Sequence, residues 1–192
     1  MVSVTIKKIT KVPSTVLLPI PTVLVTSVGK NSKPNIITIA WTGVMNSEPP
    51  VVYVSVRPIG RHSYGLIKES GEYVINIPTA AQARLVDYCG TISGSEVDKF
   101  KETGFTPVPA THVRAPLIAE CPVNLECKVK QVVPLGSHDV FIADVLAVHY
   151  NEDVLDEKGR PDPDKIKPYG YCLNEYRQMA GKLGSFGYSK KA

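Results

Sequence analysis

The chain has 192 residues, 43% hydrophobic and 21% charged, with a formal charge of +4. That is enough chain for one domain with a sizeable core and ordinary globular composition. The mild, scattered charge argues against a nucleic-acid surface. No apolar run reaches the roughly 18 residues of a membrane span, and the lysine-bearing N-terminus lacks a signal-peptide core. A cytoplasmic protein without membrane or nucleic-acid partners is expected.

Residues 22–28, TVLVTSV, form the first predicted strand. Gly29, Asn31, Ser32 and Pro34 make a turn, and NIITIAW over 35–41 returns as a second strand. From Thr38 to Pro50 the run TIAWTGVMNSEPP, around the only tryptophan, is too long for a tight hairpin turn and is expected to be a polar loop. VVYVSV over 51–56 is the next strand, rich in β-branched residues.

Residues 63–70 predict a short helix stopped by Gly71, and 73–77 another strand. Thr79 and Gln82 form a capping box for a helix reaching Val86 or Tyr88. Residues 95–101 suit a third short helix closed by Gly104. Over 121–133, Val123, Leu125, Cys127, Val129 and Val133 alternate with Asn124, Glu126, Lys128 and Lys130, the pattern of a half-buried antiparallel strand. After a turn at 135–137, residues 138–150 form a long strand with apolar residues on both faces, which suggests cover by a second subunit. Residues 151–168 are charged and hold Gly159, Pro161 and Pro163, so an exposed loop is expected before a tail over 169–192. Strands joined mostly by turns favour an antiparallel barrel over a doubly wound sheet.

Several chemistries find no support. The four cysteines contain no C-x-x-C pair, which speaks against zinc. Cys121 and Cys127, at opposite ends of one predicted strand, lie too far apart to bond. The tail glycines spell G-x-x-G-x-x-G, outside any strand-turn-helix context, so no Rossmann site is expected. Ser137, His138 and Asp139 are consecutive on a strand and cannot relay protons to one another.

Donor-rich loops remain. Arg57, Arg61, His62 and Ser63 lie ahead of a helix start, where N–H groups and guanidinium forks attract anions. A solvated basic loop fits that stretch equally well. CGTISGSEVDKF, residues 89–100, lets backbone approach a ligand, though a linker between helices is its simpler reading. Together with the Trp41 loop, these could converge on a planar, phosphorylated ligand.

The ordered series PTVLVTSVG, NIITIAWTGVMNSEPPVVYVSV, RHSYGLIKESGEYVINIP, CGTISGSEVDKF and GSHDVFIADV resembles the flavin reductase-like family of FMN-binding split-barrel proteins, its flavoredoxin type included. The resemblance implies a mainly β, antiparallel Greek-key split barrel with a few short peripheral helices, in a single domain over 1–192. It implies FMN as cofactor, NAD(P)H as transient electron donor, a flavin or redox protein as acceptor, and a homodimer. By resemblance, Thr38, Ile39, Ala40, Trp41 and Thr42 line the flavin and its ribityl chain. Ser55, Val56, Arg57 and Pro58 flank the ring and begin the phosphate site, and Arg61, His62 and Ser63 hold the phosphate. Ser93, Gly94 and Lys99 approach from the Gly/Ser loop. His138 sits near the reacting face, and Tyr169 or Tyr171 covers the site. An electron carrier without robust NAD(P)H activity, or a non-redox FMN-binding module, would need the same residues. No metal is implied.

Overall fold

The computed structural model describes residues 6–190. Among the described residues twelve strands are present: β1 (Ile20–Pro21), β2 (Val23–Ser27), β3 (Asn35–Ile39), β4 (Thr42–Ser47), β5 (Pro50–Val56), β6 (Glu72–Ile77), β7 (Pro107–Val108), β8 (Leu117–Ile118), β9 (Val123–Pro134), β10 (Asp139–Tyr150), β11 (Tyr169–Cys172) and β12 (Glu175–Gln178). Four short helices accompany them: α1 (His62–Ser70), α2 (Ala83–Thr91), α3 (Lys99–Thr103) and α4 (Pro163–Ile166). The main sheet runs β3-β2-β6-β9-β10-β5-β4, and every neighbouring pair is antiparallel. This is the mainly β, antiparallel barrel with small peripheral helices that the sequence implies. No helix among the described residues is long and apolar enough to cross a membrane.

Barrel closure comes from the chain itself. β3 pairs with β2 at one sheet edge, and two residues later β4 pairs with β5 at the other. The Ser55 N–H donates to the Trp41 carbonyl at 2.8 Å and ties the bend down. The expected polar loop over 38–50 is therefore wrong. Its first part belongs to β3, its middle is strand β4, and the turn narrows to Glu48 and Pro49 between Ser47 and Pro50. Asn46 Nδ2 donates to the Pro49 carbonyl at 2.8 Å and closes it. Polar residues on an exposed edge strand mimic loop composition, which is why the pattern misleads.

Strand alternation sorts the core. Val23, Val25, Ile37, Val54, Tyr73, Cys127 and Phe141 fill the barrel interior. Leu24 and Ile36 point outward, where α2, α3 and β8 cover them with Val86, Cys89, Phe100 and Ile118. β2 is thus buried on both faces.

β9 departs from the expected half-buried pattern. Leu125 and Cys127 face the barrel as expected, but Asn124 and Glu126 are also buried, at 4% and 0% exposure. The crossing segment 106–119 covers that face. Glu126 accepts hydrogen bonds from the N–H groups of Thr111 (2.8 Å), His112 (2.5 Å) and Val113 (3.1 Å). Asn124 donates to Asn76 Oδ1, which also accepts from the Ile118 N–H. Between the short strands β7 and β8 the segment's backbone groups need other partners, and these polar side chains supply them.

The helices follow their predicted signals. Gly71 (φ 66°) and Gly104 (φ 72°) end α1 and α3 in the left-handed region. The Thr79–Gln82 box is formed, and a 3₁₀ turn leads from it into α2, which runs past Tyr88 to Thr91. α3 starts later than expected because Asp98 is its N-cap. Residues 151–168 are mostly exposed but hold a 3₁₀ turn (Glu152–Val154) and α4. The tail pairs back on the body, with β11 between β1 and β12.

Candidate functional site

A cleft of about 370 Å³ opens where β3 bends into β4. Its walls are the backbone stretch 37–41, the end of β5 at Ser55, Val56 and Arg57, then Arg61, His138, Tyr171 and Asn174. No carboxylate is among them. The electrostatic bias is therefore cationic, with two guanidinium groups on one side.

The wall acts through its backbone. Ile39 and Val56 bury their side chains in the barrel core, so only their main chains can meet a ligand. Thr38 Oγ1 donates to the Val86 carbonyl of α2. Thr42 Oγ1 donates to the Tyr53 carbonyl at 2.5 Å. Both hydroxyls brace the fold, and Thr42 does not line the cleft. Trp41, 39% exposed, stacks on His138 with ring centroids 4.3 Å apart and planes at 33°.

His138 stands at the turn before β10, its Nδ1 3.0 Å from Ser137 Oγ. Burial lowers its pKa below the usual 6.5, and the nearby charges of Arg57 and Arg61 lower it further. The imidazole is therefore biased toward its neutral form while the cleft is cationic.

Beyond Arg61 the cleft meets a narrow neck at the start of α1, lined by Arg61, His62, Ser63, Ser93, Gly94 and Lys99 among others. Arg61 is the N-cap residue of α1, and no side chain caps the helix. Its first N–H groups remain available to an anion. Asn35, 5% exposed, donates to the Oγ of buried Ser63 at 2.8 Å. A Cβ on Gly94 would fall 2.0 Å from Asn35 Oδ1, so only glycine lets the 93–95 loop pack there. Lys99, 3% exposed, donates to the carbonyls of Ile36 (2.9 Å) and Cys89 (2.6 Å). Burial pulls its pKa down to about 8, with Cys89 opposing and Arg61 adding to the shift.

Most predicted residues thus assemble on one side of the barrel. Pro58 lies on the loop after β5, outside the cleft lining. Tyr169 does not join them: it is buried in the outer cluster with Leu24, Ile36 and Cys121. Tyr171, two residues on, reaches the cleft, its hydroxyl donating to Asn174 Oδ1 at 3.1 Å. Two residues apart on β11, the tyrosines share a face and both pack against Tyr176, so their position along the strand separates them, Tyr169 over the outer cluster and Tyr171 at the cleft rim. The sequence reading missed Asn35 and Asn174. Asn35 was legible as the polar residue heading an apolar strand. Asn174 holds φ 69° in the hairpin turn, a conformation asparagine tolerates better than most. Among the described residues, no three His, Cys, Asp or Glu side chains are disposed to hold a metal.

The family model of the flavin reductase like domain matches residues 15–180. The fold is similar to flavoredoxin of Desulfovibrio vulgaris (Miyazaki F), with TM-score 0.89 and 34% identity over 96% of this chain and all of that one. Flavoredoxin from Methanosarcina acetivorans is similar at TM-score 0.87 and 27% identity, covering 96% and 98% of the two chains. An FMN-binding protein from Thermus thermophilus is similar at TM-score 0.77 and 25% identity, covering 95% and 99%.

Proposed function

The chain belongs to the flavin reductase-like domain family, and from that premise we propose that it binds FMN in the cleft and passes electrons from NAD(P)H to a flavin or protein acceptor. One observation carries this reading: a carboxylate-free backbone wall shares a cleft with Arg57 and Arg61 beside the uncapped start of α1.

The donor set fits FMN. A phosphate suits the Arg61 guanidinium and the first N–H groups of α1. The polar edge of a flat ring suits the main-chain groups of 38–41 and 55–57, since the threonine hydroxyls are committed inside the fold. Bound there, FMN would supply the two-electron chemistry, accepting a hydride from the nicotinamide ring. The protein's own part is binding, orientation and electrostatics. Arg57 offsets negative charge that develops on the bound ring. Trp41 and His138 cover the mouth, and the Tyr171–Asn174 turn narrows the opposite rim.

A homodimer belongs to the same reading. Val44, Met45, Val132, Leu146, Val148 and Tyr150 are exposed on β9, β10 and β4, with β5 between the last two, and a second copy would cover them. The four unpaired cysteines suit a cytoplasmic setting.

The test is optical. Purified protein titrated with FMN is expected to gain a bound-flavin spectrum, and anaerobic NADH or NADPH is expected to bleach it. Bleaching only by a reduced protein donor would instead assign an electron carrier. No flavin uptake would defeat the reading altogether.

A further inference from the structure

His138 meets the cleft from one residue ahead of β10, and its neighbour Asp139 opens the strand. Consecutive strand residues face opposite sides. Asp139 accordingly shares a face with Phe141, and both meet the same side chain. Tyr64 of α1 donates its hydroxyl to Asp139 Oδ2 at 2.7 Å and sets its ring edge-on to buried Phe141, with centroids 5.5 Å apart. Lys68, one turn further along α1, donates to the same hydroxyl at 3.4 Å, its Nζ 5.5 Å from the ring centroid. The Tyr64 hydroxyl thus stands between a cation and an anion, with its proton directed at Asp139.

Backbone pairing to Val56 and Pro134 already holds Asp139 in the sheet. The side-chain bond adds a tie from the end of β10 to α1. It matters for His138 because the chain ahead of that residue is the exposed turn 135–137, which restrains it little. The ring's own neighbours are the Ser137 hydroxyl, Trp41 and the charges of Arg57 and Arg61. Tyr64 lies on the first turn of α1, where its N–H donates to the Arg61 carbonyl at 3.0 Å. The turn that presents Arg61 to the cleft therefore also grips Asp139. The same bond keeps the Asp139 carboxylate out of a cleft whose lining holds none.

We propose that Tyr64 and Asp139 are positioning residues: their bond fixes the start of β10 to the first turn of α1 and so holds the His138 imidazole against Trp41 over the bound flavin. The assignment rests on the flavin reading above.

The test uses the flavin-loaded full chain and three variants. Tyr64→Phe removes the hydroxyl and leaves the ring on Phe141. Asp139→Ala removes the acceptor, and Asp139→Asn retains one. Tyr64→Phe and Asp139→Ala are expected to slow anaerobic flavin reduction at saturating NADH or NADPH by about tenfold, with the Kd for FMN within about threefold of wild type. Asp139→Asn is expected to keep the wild-type rate within about twofold. Trp41 is the only tryptophan, and its emission gives a readout without flavin. An imidazolium stacked on an indole quenches it, so flavin-free wild type is expected to dim as pH falls below 6.5. Tyr64→Phe and Asp139→Ala are expected to lose most of that dimming.

A wild-type reduction rate in both of these variants overturns the proposal, as does an acid quench absent from wild type or unchanged in both. Asp139→Asn as slow as Asp139→Ala overturns it by giving the effect to the carboxylate charge. A rate loss matched by an equal loss of FMN affinity overturns it by leaving the bond a structural part of α1. Failure of wild type to take up FMN, or to be reduced by NADH or NADPH, counts against the flavin reading instead, and the acid quench of Trp41 then decides the positioning by itself.

Discussion

The indole of Trp41 and the imidazole of His138 lie 4.3 Å apart across the cleft mouth, one from the β3–β4 bend and the other from the start of β10. The pair reports on the cleft's charge. Desolvation, Arg57 and Arg61 all press His138 toward its neutral form, so in free protein it should titrate below 6.5. The folded value lies under the unfolded one, so this ring detracts from stability as pH falls through 6.5 toward the folded pKa, and costs nothing above. A bound phosphate would offset the guanidinium charges and raise the His138 pKa. Imidazole NMR titration with and without FMN checks both the starting position and the upward shift.

Arg57 and Arg61 are the cationic partners of the proposed flavin. Arg61→Ala should remove a charge-assisted contact worth roughly 1.5–3 kcal/mol, raising the Kd for FMN about 10- to 100-fold. Arg57→Ala should weaken FMN as well and slow anaerobic reduction. Unchanged affinity in both variants would refute the phosphate assignment.

Gly94→Ala tests the packing at the neck. The added methyl would strike Asn35 Oδ1, and Asn35 would have to leave Ser63. The start of α1 then loses its brace. A drop in FMN affinity of about tenfold is expected, with a far-UV spectrum unchanged. Asn35→Ala, which removes the obstacle, should restore fit at position 94 but not the Ser63 bond, so the double variant should resemble Asn35→Ala alone.

Lys99 is a buried cation whose two hydrogen bonds join β3 to α2. Lys99→Met strands both carbonyls and should cost roughly 1–3 kcal/mol for each group left unsatisfied. The folded pKa, about 8, lies below the unfolded 10.5. In that interval the unfolded chain binds more protons, so the Lys99 contribution to stability grows as pH rises from about 8 to 10.5. Urea unfolding of wild type against Lys99→Met at pH 7 and pH 10 reads this contribution together with that of Cys89, whose charge is coupled to Lys99.

Glu126 holds the 106–119 segment through three N–H groups and lies 2.7 Å from His149 Nε2. Burial raises its pKa, but the hydrogen bonds from Thr111, His112, His149 and Val113 outweigh that and hold it below 4.5. Its contribution is present above 4.5 and is lost as pH falls through the lower folded value. Glu126→Ala should destabilise the protein by about 3–5 kcal/mol, and amide exchange at 111–113 should rise before exchange in the barrel. Equal exchange in variant and wild type would rule out the latch.

Much of this molecule was legible in its sequence because local signals carried it. The glycine stops, the Thr79–Gln82 box and the Val- and Ile-rich runs all state their structure within a few residues. The basic loop ahead of α1 and the glycines before α3 likewise marked two sides of the site. What escaped depends on distant chain. Thr38 and Thr42 look like ligand donors until α2 and β5 are seen to take their hydroxyls. Glu126 looks solvated until residues 111–113 arrive above it. Tyr169 and Tyr171, on one face of β11, are indistinguishable until the outer cluster takes the first and the cleft rim the second.

The bend between β3 and β4 has one last consequence. Residues 38–42 are hydrogen-bonded to β2 on one side and to β5 on the other, so the cleft wall is a seam of the barrel and not a lid hung beside it. Its shape cannot collapse without unzipping both sheet edges. The wall is therefore preorganised: an incoming flat ring finds its backbone donors already immobile, and little conformational entropy is left to lose on binding.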